Sequence, residues 1–104
     1  MQNLFADIPA ALPDERFDTL IETGAVHIER IVSKGHASPP EGWFEQQRDE
    51  WVMLVRGAAR LAFEDGREVD LGPGDWLKIP ARQKHRVTWT DPGQESIWLA
   101  VHYT

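Results

Sequence analysis

Four short apolar runs separated by tight turns occupy the segment from Glu50 to His85, and they constrain the fold more than any other feature. The runs are 52–55, 58–63, 68–71 and 76–79. Each run has about the length of a β-strand, and each break carries glycine, Asp-Gly or Gly-Pro-Gly. We expect this meander to bring its first residue, Glu50, and its last residue, His85, together inside one small barrel.

Alternating or apolar runs elsewhere in the chain predict further strands. These runs are 16–22, 26–32, 43–47, 84–90 and 96–103. The run 16–22 also fits a helical stripe, although we favour a strand there. About eight or nine short strands with almost no helix are typical of an all-β sandwich or barrel. We expect residues 1–25 to form an N-terminal arm that packs on the barrel, and residues 26–104 to form the barrel of a single-domain protein.

The overall composition limits the classes of function. The chain has 104 residues, a formal net charge of −6 and no cysteine. An acidic protein repels phosphate backbones, so we expect no nucleic-acid partner. No run reaches the roughly 18 apolar residues of a membrane helix, so we expect no membrane partner. No signal peptide is recognisable at the N-terminus, and the lack of cysteine suits a reducing compartment, so we expect a cytoplasmic protein.

A carboxylate and an imidazole are predicted to point into the apolar interior. Even spacing places Glu50 on the same strand face as Val52 and Leu54. His85 shares a face with Val87 and Trp89 in the same way. Because an unpaired buried charge costs several kcal/mol, the two groups must either bond to each other or share a cation.

These residues and their spacing resemble the motifs of the cupin family. In cupins the first motif ends in a Glu followed by six residues and a Gly, and Glu50 and Gly57 match it. The second motif contains a Gly, a Pro and a His, and Gly74, Pro80 and His85 match them at the right spacing. The resemblance covers residues 26–103 and implies a double-stranded β-helix, or jelly-roll, cupin barrel.

The resemblance also implies a site for a divalent metal, with departures from the family pattern. Cupins usually hold the metal with two His, the Glu and a third His. Phe44 and Gln46 stand at the first two positions here, so the implied metal ligands are Gln46, Glu50 and His85. Mn, Fe, Ni or Zn suits such a mixed oxygen and nitrogen set. A shift of one residue would present Glu45 in place of Gln46.

The second motif departs from the family pattern at two further positions. Arg82 replaces the second Gly of the motif, and Trp89 replaces the final Asn. Arg82, Lys84 and Arg86 form a basic cluster beside His85, which either receives an acidic ligand or is a solvated face. We favour the solvated face. We expect His36 to be a loop residue and His102 to be a surface or rim residue, although His102 could line the same cavity.

The sequence is compatible with two kinds of function. The first is a metal-dependent small-molecule enzyme or enzyme-like barrel centred on Glu50 and His85. The second is a metal-free ligand-binding or sensor domain, or a structural domain with a degenerate site. The apolar strand faces at Trp51, Met53, Val55, Trp98 and Ala100 suggest a second buried surface, so we expect a homodimer.

Overall fold

The computed structural model describes residues 2–104, which form eight β-strands and no helix. The strands are β1 (Arg16–Glu22), β2 (Val26–Ser33), β3 (Asp49–Arg56), β4 (Ala59–Phe63), β5 (Glu68–Leu71), β6 (Trp76–Ile79), β7 (His85–Thr90) and β8 (Ser96–Tyr103). The predicted all-β class and the strand at 16–22 are therefore confirmed. Within residues 2–104, nothing has the length and apolarity of a membrane-spanning helix.

The tight turns lie where the glycines predict them. Gly66 has a φ of +98° and closes the β4–β5 hairpin, in which the Phe63 N–H donates to the Arg67 carbonyl at 2.9 Å. Gly74 has a φ of +90° between β5 and β6, where the Asp75 N–H donates to the Gly72 carbonyl at 3.0 Å. Positive φ favours glycine because it has no Cβ, so the sequence sets both reversals locally.

The eight strands form two antiparallel sheets. One sheet has the order β1-β2-β8-β3-β6, and the other has the order β5-β4-β7. The chain passes from the large sheet at β3 to the small sheet at β4 and β5, returns to the large sheet at β6, and crosses again to the small sheet at β7, as in a jelly-roll barrel. These crossings bring β3, which carries Glu50, opposite β7, which carries His85.

The hydrophobic core lies between the sheets and is densest away from Glu50. Its buried members are Val52, Leu54, Ala59, Leu61, Phe63, Leu71, Ile79, Trp98 and Ala100. Gly57 closes this end of the barrel, because a Cβ there would lie 2.3 Å from the Ser96 hydroxyl oxygen. The Gly57 position of the cupin motif thus allows β3 and β8 to approach closely.

The N-terminal segment is tied to the barrel through one buried arginine. Arg30 on β2 forms an ion pair with Asp18 on β1 at 2.7 Å. Its guanidinium also donates to the backbone carbonyls of Leu4 at 3.0 Å and Ala6 at 2.6 Å. Arg30 therefore anchors residues that precede β1 to the outer side of the large sheet.

Three local predictions are wrong. Residues 43–47 are not a strand, since only Phe44 forms an isolated bridge, to His85. Trp89 does not share the inner face with His85, because a bulge in β7 places Val87 opposite Leu61 and Trp89 opposite Arg60, leaving Trp89 42% exposed. Trp98 and Ala100 belong to the core of the single chain rather than to a second surface.

Candidate functional site

A cavity of about 490 Å³ opens between the two sheets at the end opposite Gly57. Apolar side chains from both sheets line it, and they are Phe17, Ile31, Val52, Leu61, Ile79, Val87 and Trp98. Polar side chains complete the wall, including Gln46, Glu50, His85, His27, Glu29 and His102. The cavity therefore combines an apolar lining with two groups of titratable residues.

Glu50 is the deepest acidic group in this cavity. It lies near the start of β3, where alternation directs it inward with Val52 and Leu54, as predicted. The side-chain amide of Gln46 donates a hydrogen bond to its Oε1 at 2.6 Å. The other carboxylate oxygen, Oε2, forms no hydrogen bond within residues 2–104. Burial with half of its hydrogen-bonding capacity unused leaves Glu50 ready to accept from a ligand.

His85 lies across the cavity from Glu50, at the start of β7. Its Nδ1 donates to the Gln83 carbonyl at 2.8 Å, since a carbonyl can only accept. Its Nε2 lies 3.8 Å from Glu50 Oε1, which is within ion-pair range but too long for a hydrogen bond. The predicted meeting of the two residues inside the barrel is thus observed, without a direct hydrogen bond between them.

Phe44 and Gln46 line the cavity beside His85 and Glu50. The Phe44 N–H donates to the His85 carbonyl at 2.7 Å, and the His85 N–H donates back to Phe44 at 3.0 Å. This backbone pairing fixes the position of His85 in the cavity wall. Phe44 also lines the cavity but remains 64% exposed. Gln46 lines the cavity and Glu45 does not, so the shifted register that would present Glu45 is wrong.

A second titratable group crosses the large sheet beside Glu50. Glu29 on β2 accepts from both neighbouring imidazoles, with His27 Nε2 at 3.1 Å and His102 Nε2 at 3.3 Å. His27 Nδ1 contacts Glu22 at 3.0 Å. His102 is not a surface residue, because only 13% of its side chain is exposed and it lines the cavity.

Mutual hydrogen bonding stabilises the charged forms of this pair. The bond from His102 lowers the pKa of Glu29 below its usual value. The same bond, with further attraction from Glu50, raises the pKa of His102 above its usual value of 6.5. The cavity therefore contains an imidazole whose protonated form is stabilised by its neighbours.

The chain carries the signature of a known family over most of its length. The model of the cupin domain family matches residues 28–102. This chain is a cupin. A search of curated protein sequences gave no significant match.

Solved structures support the cupin assignment. A crystal structure from Ralstonia eutropha described as a "putative mannose-6-phosphate isomerase" is 49% identical, with a TM-score of 0.94 over 99% of this chain and 96% of that one. A cupin superfamily protein from Desulfitobacterium hafniense is 21% identical, with a TM-score of 0.76 over 92% and 83% of the two chains. The polyketide cyclase RemF from Streptomyces resistomycificus is 20% identical, with a TM-score of 0.73 over 88% and 66%. The last two likenesses show the fold alone.

Cupins often bind metals, but this cupin has a weak set of donors at the family position. Phe44 cannot ligate, and the Gln46 amide is committed to Glu50. Only Glu50 and His85 remain as strong donors. Across the part of the chain that the structure describes, no three His, Asp or Glu side chains are arranged to hold a metal ion. The side chains present do not fit the implied metal.

The remaining predicted residues lie outside the cavity or at its rim. His36 is a loop residue whose Nδ1 accepts from the Lys34 N–H at 2.9 Å, and it does not line the cavity. Of the basic cluster, Arg82 and Lys84 are exposed, and Lys84 pairs with Glu64 at 3.6 Å. Arg86 alone reaches the cavity wall, where it lies over the Trp43 ring with 4.8 Å between its guanidinium carbon and the ring centre.

Proposed function

We propose that this cupin binds a small organic molecule in its barrel without a metal, and that a hydroxyl group of the molecule lies between Glu50 and His85. The observation that carries the proposal is the 3.8 Å gap between Glu50 Oε1 and His85 Nε2. With Nδ1–H donating to Gln83, His85 Nε2 in the neutral form of the ring is an acceptor that faces a carboxylate. Two buried acceptors facing each other need donors, and a ligand hydroxyl, which carries one hydrogen, can donate to either of them.

The rest of the cavity supports an organic ligand. Its volume of about 490 Å³ lies in the range of small-molecule sites, and mostly apolar walls surround a few converging polar groups. The indole N–H of Trp98, which also lines the cavity, has no acceptor within residues 2–104. A molecule with an apolar body and both donor and acceptor oxygens suits this wall. The description of the 49% identical structure as a "putative mannose-6-phosphate isomerase" supports a hydroxyl-rich ligand.

A divalent ion is the competing occupant. Glu50 and His85 supply two donors, and Mn, Fe, Ni or Zn would gain a third protein ligand only if the Gln46 amide gave up its bond to Glu50 and turned its oxygen inward. Metal analysis of untagged protein separates the two readings. We expect metal well below one ion per chain, and near-stoichiometric metal that disappears in Glu50→Gln and His85→Gln would contradict the proposal.

Ligand-observed NMR tests the organic ligand directly. A library of small polyols, hydroxy acids and hydroxy-carbonyl compounds is screened for saturation transfer from the protein. We expect hits that compete with one another and that are lost in Glu50→Gln and in His85→Gln, because the first variant removes the carboxylate charge and the second removes the imidazole. Glu68→Gln and His36→Gln are the matched controls, since both residues lie away from the cavity. Hits that survive in both cavity variants would contradict the site.

We also propose that the cupin forms a homodimer. Trp51, Met53 and Val55 point outward from β3 and are only half-buried, and the Trp51 ring packs against that of Trp76, which is 56% exposed. This outward face is the part of the predicted second surface that the single chain leaves partly uncovered. Light scattering at low protein concentration should return twice the chain mass, and a monomer mass would contradict the proposal.

A further inference from the structure

The residues between Ser38 and Phe44 form a loop that bulges away from β7. At one end of the loop, the Ser38 N–H donates to the Val87 carbonyl at 2.8 Å. At the other end, the Phe44 N–H donates to the His85 carbonyl at 2.7 Å. Arg86 is the residue of β7 that lies between these two attachments. The loop therefore surrounds the Arg86 side chain, which lines a side pocket of about 230 Å³ together with loop residues.

The loop fixes the Arg86 guanidinium but leaves one edge of it unbonded. Its Nη1 donates to the Pro40 carbonyl, and its guanidinium carbon lies 4.8 Å from the centre of the Trp43 ring. Nε is buried without an acceptor within residues 2–104, and Nη2 forms no hydrogen bond there and is not buried. The Nε–H and one Nη2–H point the same way from one edge of the plane, which is the geometry that binds both oxygens of a carboxylate.

Arg86 also lacks a negatively charged partner. It forms no ion pair within residues 2–104, although Glu41 lines the same side pocket. Arg48, the other arginine that lines the main cavity, pairs with Glu22 at 4.0 Å. Because a guanidinium that is partly removed from water is costly without a counter-charge, we expect an anion beside Arg86.

We propose that the ligand is a hydroxy acid whose carboxylate binds Arg86 while its hydroxyl lies between Glu50 and His85, an inference that rests on the organic ligand proposed above. Arg86 lines both the side pocket and the main cavity, and it follows His85 directly on β7. One carboxylate oxygen accepts from Nη2. The other reaches Nε when the loop shifts outward. Trp98, whose indole N–H is the other buried donor without an acceptor within residues 2–104, lines the main cavity as well.

The charges on the cavity wall favour a carboxylate over a phosphate. Glu15, Glu29 and Glu50 all line the main cavity. A phosphate monoester carries a charge of about −1.5 to −2 at pH 7, so these carboxylates repel it more strongly than they repel a singly charged acid. Arg86 offers one free edge with two parallel donors, which suits the two oxygens of a carboxylate.

A series of terminal hydroxy acids, from glycolate to hydroxyhexanoate, tests the inference on the full chain, with the corresponding hydroxy amides as neutral controls. Protein NMR titration gives the dissociation constant of each compound. We expect at least one acid to bind about 10-fold more tightly than its amide, as one charged contact provides. Arg86→Gln should abolish this preference, and Arg86→Lys should retain part of it, because lysine keeps the charge but not the planar fork. Arg82→Gln is the matched control, since it removes the same charge from an exposed residue nearby, and it should keep the full preference.

A spectroscopic readout on the wild type keeps the inference open to refutation if a variant folds poorly. The NMR signal of the Arg86 Nε–H is identified by its absence in Arg86→Lys. We expect the acid to move this signal downfield, because Nε gains a charged acceptor, and the amide to move it much less. Inorganic phosphate at the same concentration should not displace the acid. A signal that stays in place at saturating acid, an acid that binds no better than its amide, or displacement by phosphate would overturn the inference.

Acids without a hydroxyl separate this inference from the proposed hydroxyl site. Butyrate that binds as tightly as hydroxybutyrate, and that loses affinity in Arg86→Gln, would keep the carboxylate at Arg86 and remove the hydroxyl site. Hydroxy amides that bind as tightly as the acids, and that are lost in Glu50→Gln, would keep the hydroxyl site and overturn the role of Arg86.

Discussion

The two ends of this cupin barrel are built from the same strands but from opposite kinds of side chain. Along β3 the inward residues change from Glu50 through Val52 to Leu54, and exposure falls from 8% at Glu50 to 0% at Leu54. At the closed end, Gly57 and Ser96 bring β3 and β8 into contact. At the open end, the same two strands place Glu50 opposite His102. We therefore expect stability to depend mainly on the closed end, and the proposed ligand binding to depend on the open end.

The largest expected effect is at Gly57, where the closed end is tightest. Its φ of +96° disfavours a side chain, and an added Cβ would lie 2.6 Å from the Ser96 Cα. Gly57→Ala should cost about 3 kcal/mol or more of the free energy of unfolding, from overpacking and left-handed strain together. Chemical denaturation measures the loss.

Gly74 provides the matched control for the closed end. Its φ is +90°, but no heavy atom lies within 4 Å of an added Cβ. Gly74→Ala should therefore show only the conformational cost, about 1 kcal/mol. Equal losses at the two glycines would mean that the contact with Ser96 is not what limits Gly57.

The same measurement at the open end should give a much smaller change. Glu50→Gln keeps an acceptor for Gln46 and removes a buried charge, so we expect the free energy of unfolding to change by less than about 1 kcal/mol. Ligand binding should nevertheless be lost. A loss of several kcal/mol would show that Glu50 supports the fold and would end the contrast between the two ends.

The Glu29–His102 pair should make a pH-dependent contribution to stability. The bond to Glu29 raises the pKa of His102 in the folded chain. The stabilisation from His102 is therefore fully present below its pKa in the unfolded chain, about 6.5, and is lost as the pH rises through its pKa in the folded chain. The pKa of Glu29 is lowered in the folded chain. The stabilisation from Glu29 is therefore fully present above its pKa in the unfolded chain, about 4.5, and is lost as the pH falls through its pKa in the folded chain. Wild type and His102→Gln should differ most between about pH 5 and 6, by no more than about 1 kcal/mol. A difference that stays constant up to pH 9 would contradict this pairing.

The smallest expected effect is at Arg82, which occupies the glycine position of the second cupin motif. Its φ is +67°, and its N–H donates to the Gln46 carbonyl at 2.7 Å. Arg82→Gly relieves the left-handed strain, but it also increases the conformational entropy of the unfolded chain. We therefore expect the free energy of unfolding to rise by only about 0.5 kcal/mol. Thermal unfolding measures it, with the exposed Lys84→Gly as a control that should destabilise instead.

The sequence predicts most of the fold because its turns are local. Asp65-Gly66 and the Gly72–Asp75 turn fix where β4, β5 and β6 begin and end. The spacing of Glu50 and His85 likewise predicts that they meet, since alternation and motif spacing act along the chain. The bulge that turns Trp89 outward cannot be predicted from the local sequence, because it arises from the pairing of β7 with β4.

The group around His102 could not be predicted for the same reason. Its members lie on β1, β2 and β8, and they become neighbours only through the strand order β1-β2-β8-β3. No spacing in the sequence carries this order. The one local signal is that alternation along β2 puts His27 and Glu29 on the same face, which is the face that lines the cavity.

The most direct test of the central claim is the affinity of a cavity ligand before and after chelation. The dissociation constant of an NMR hit is measured on untagged protein, then again after dialysis against EDTA. We expect the same constant in both, because the proposed binding of the hydroxyl by Glu50 and His85 needs no ion. Loss of binding after chelation, restored by Mn, Fe, Ni or Zn, would contradict it.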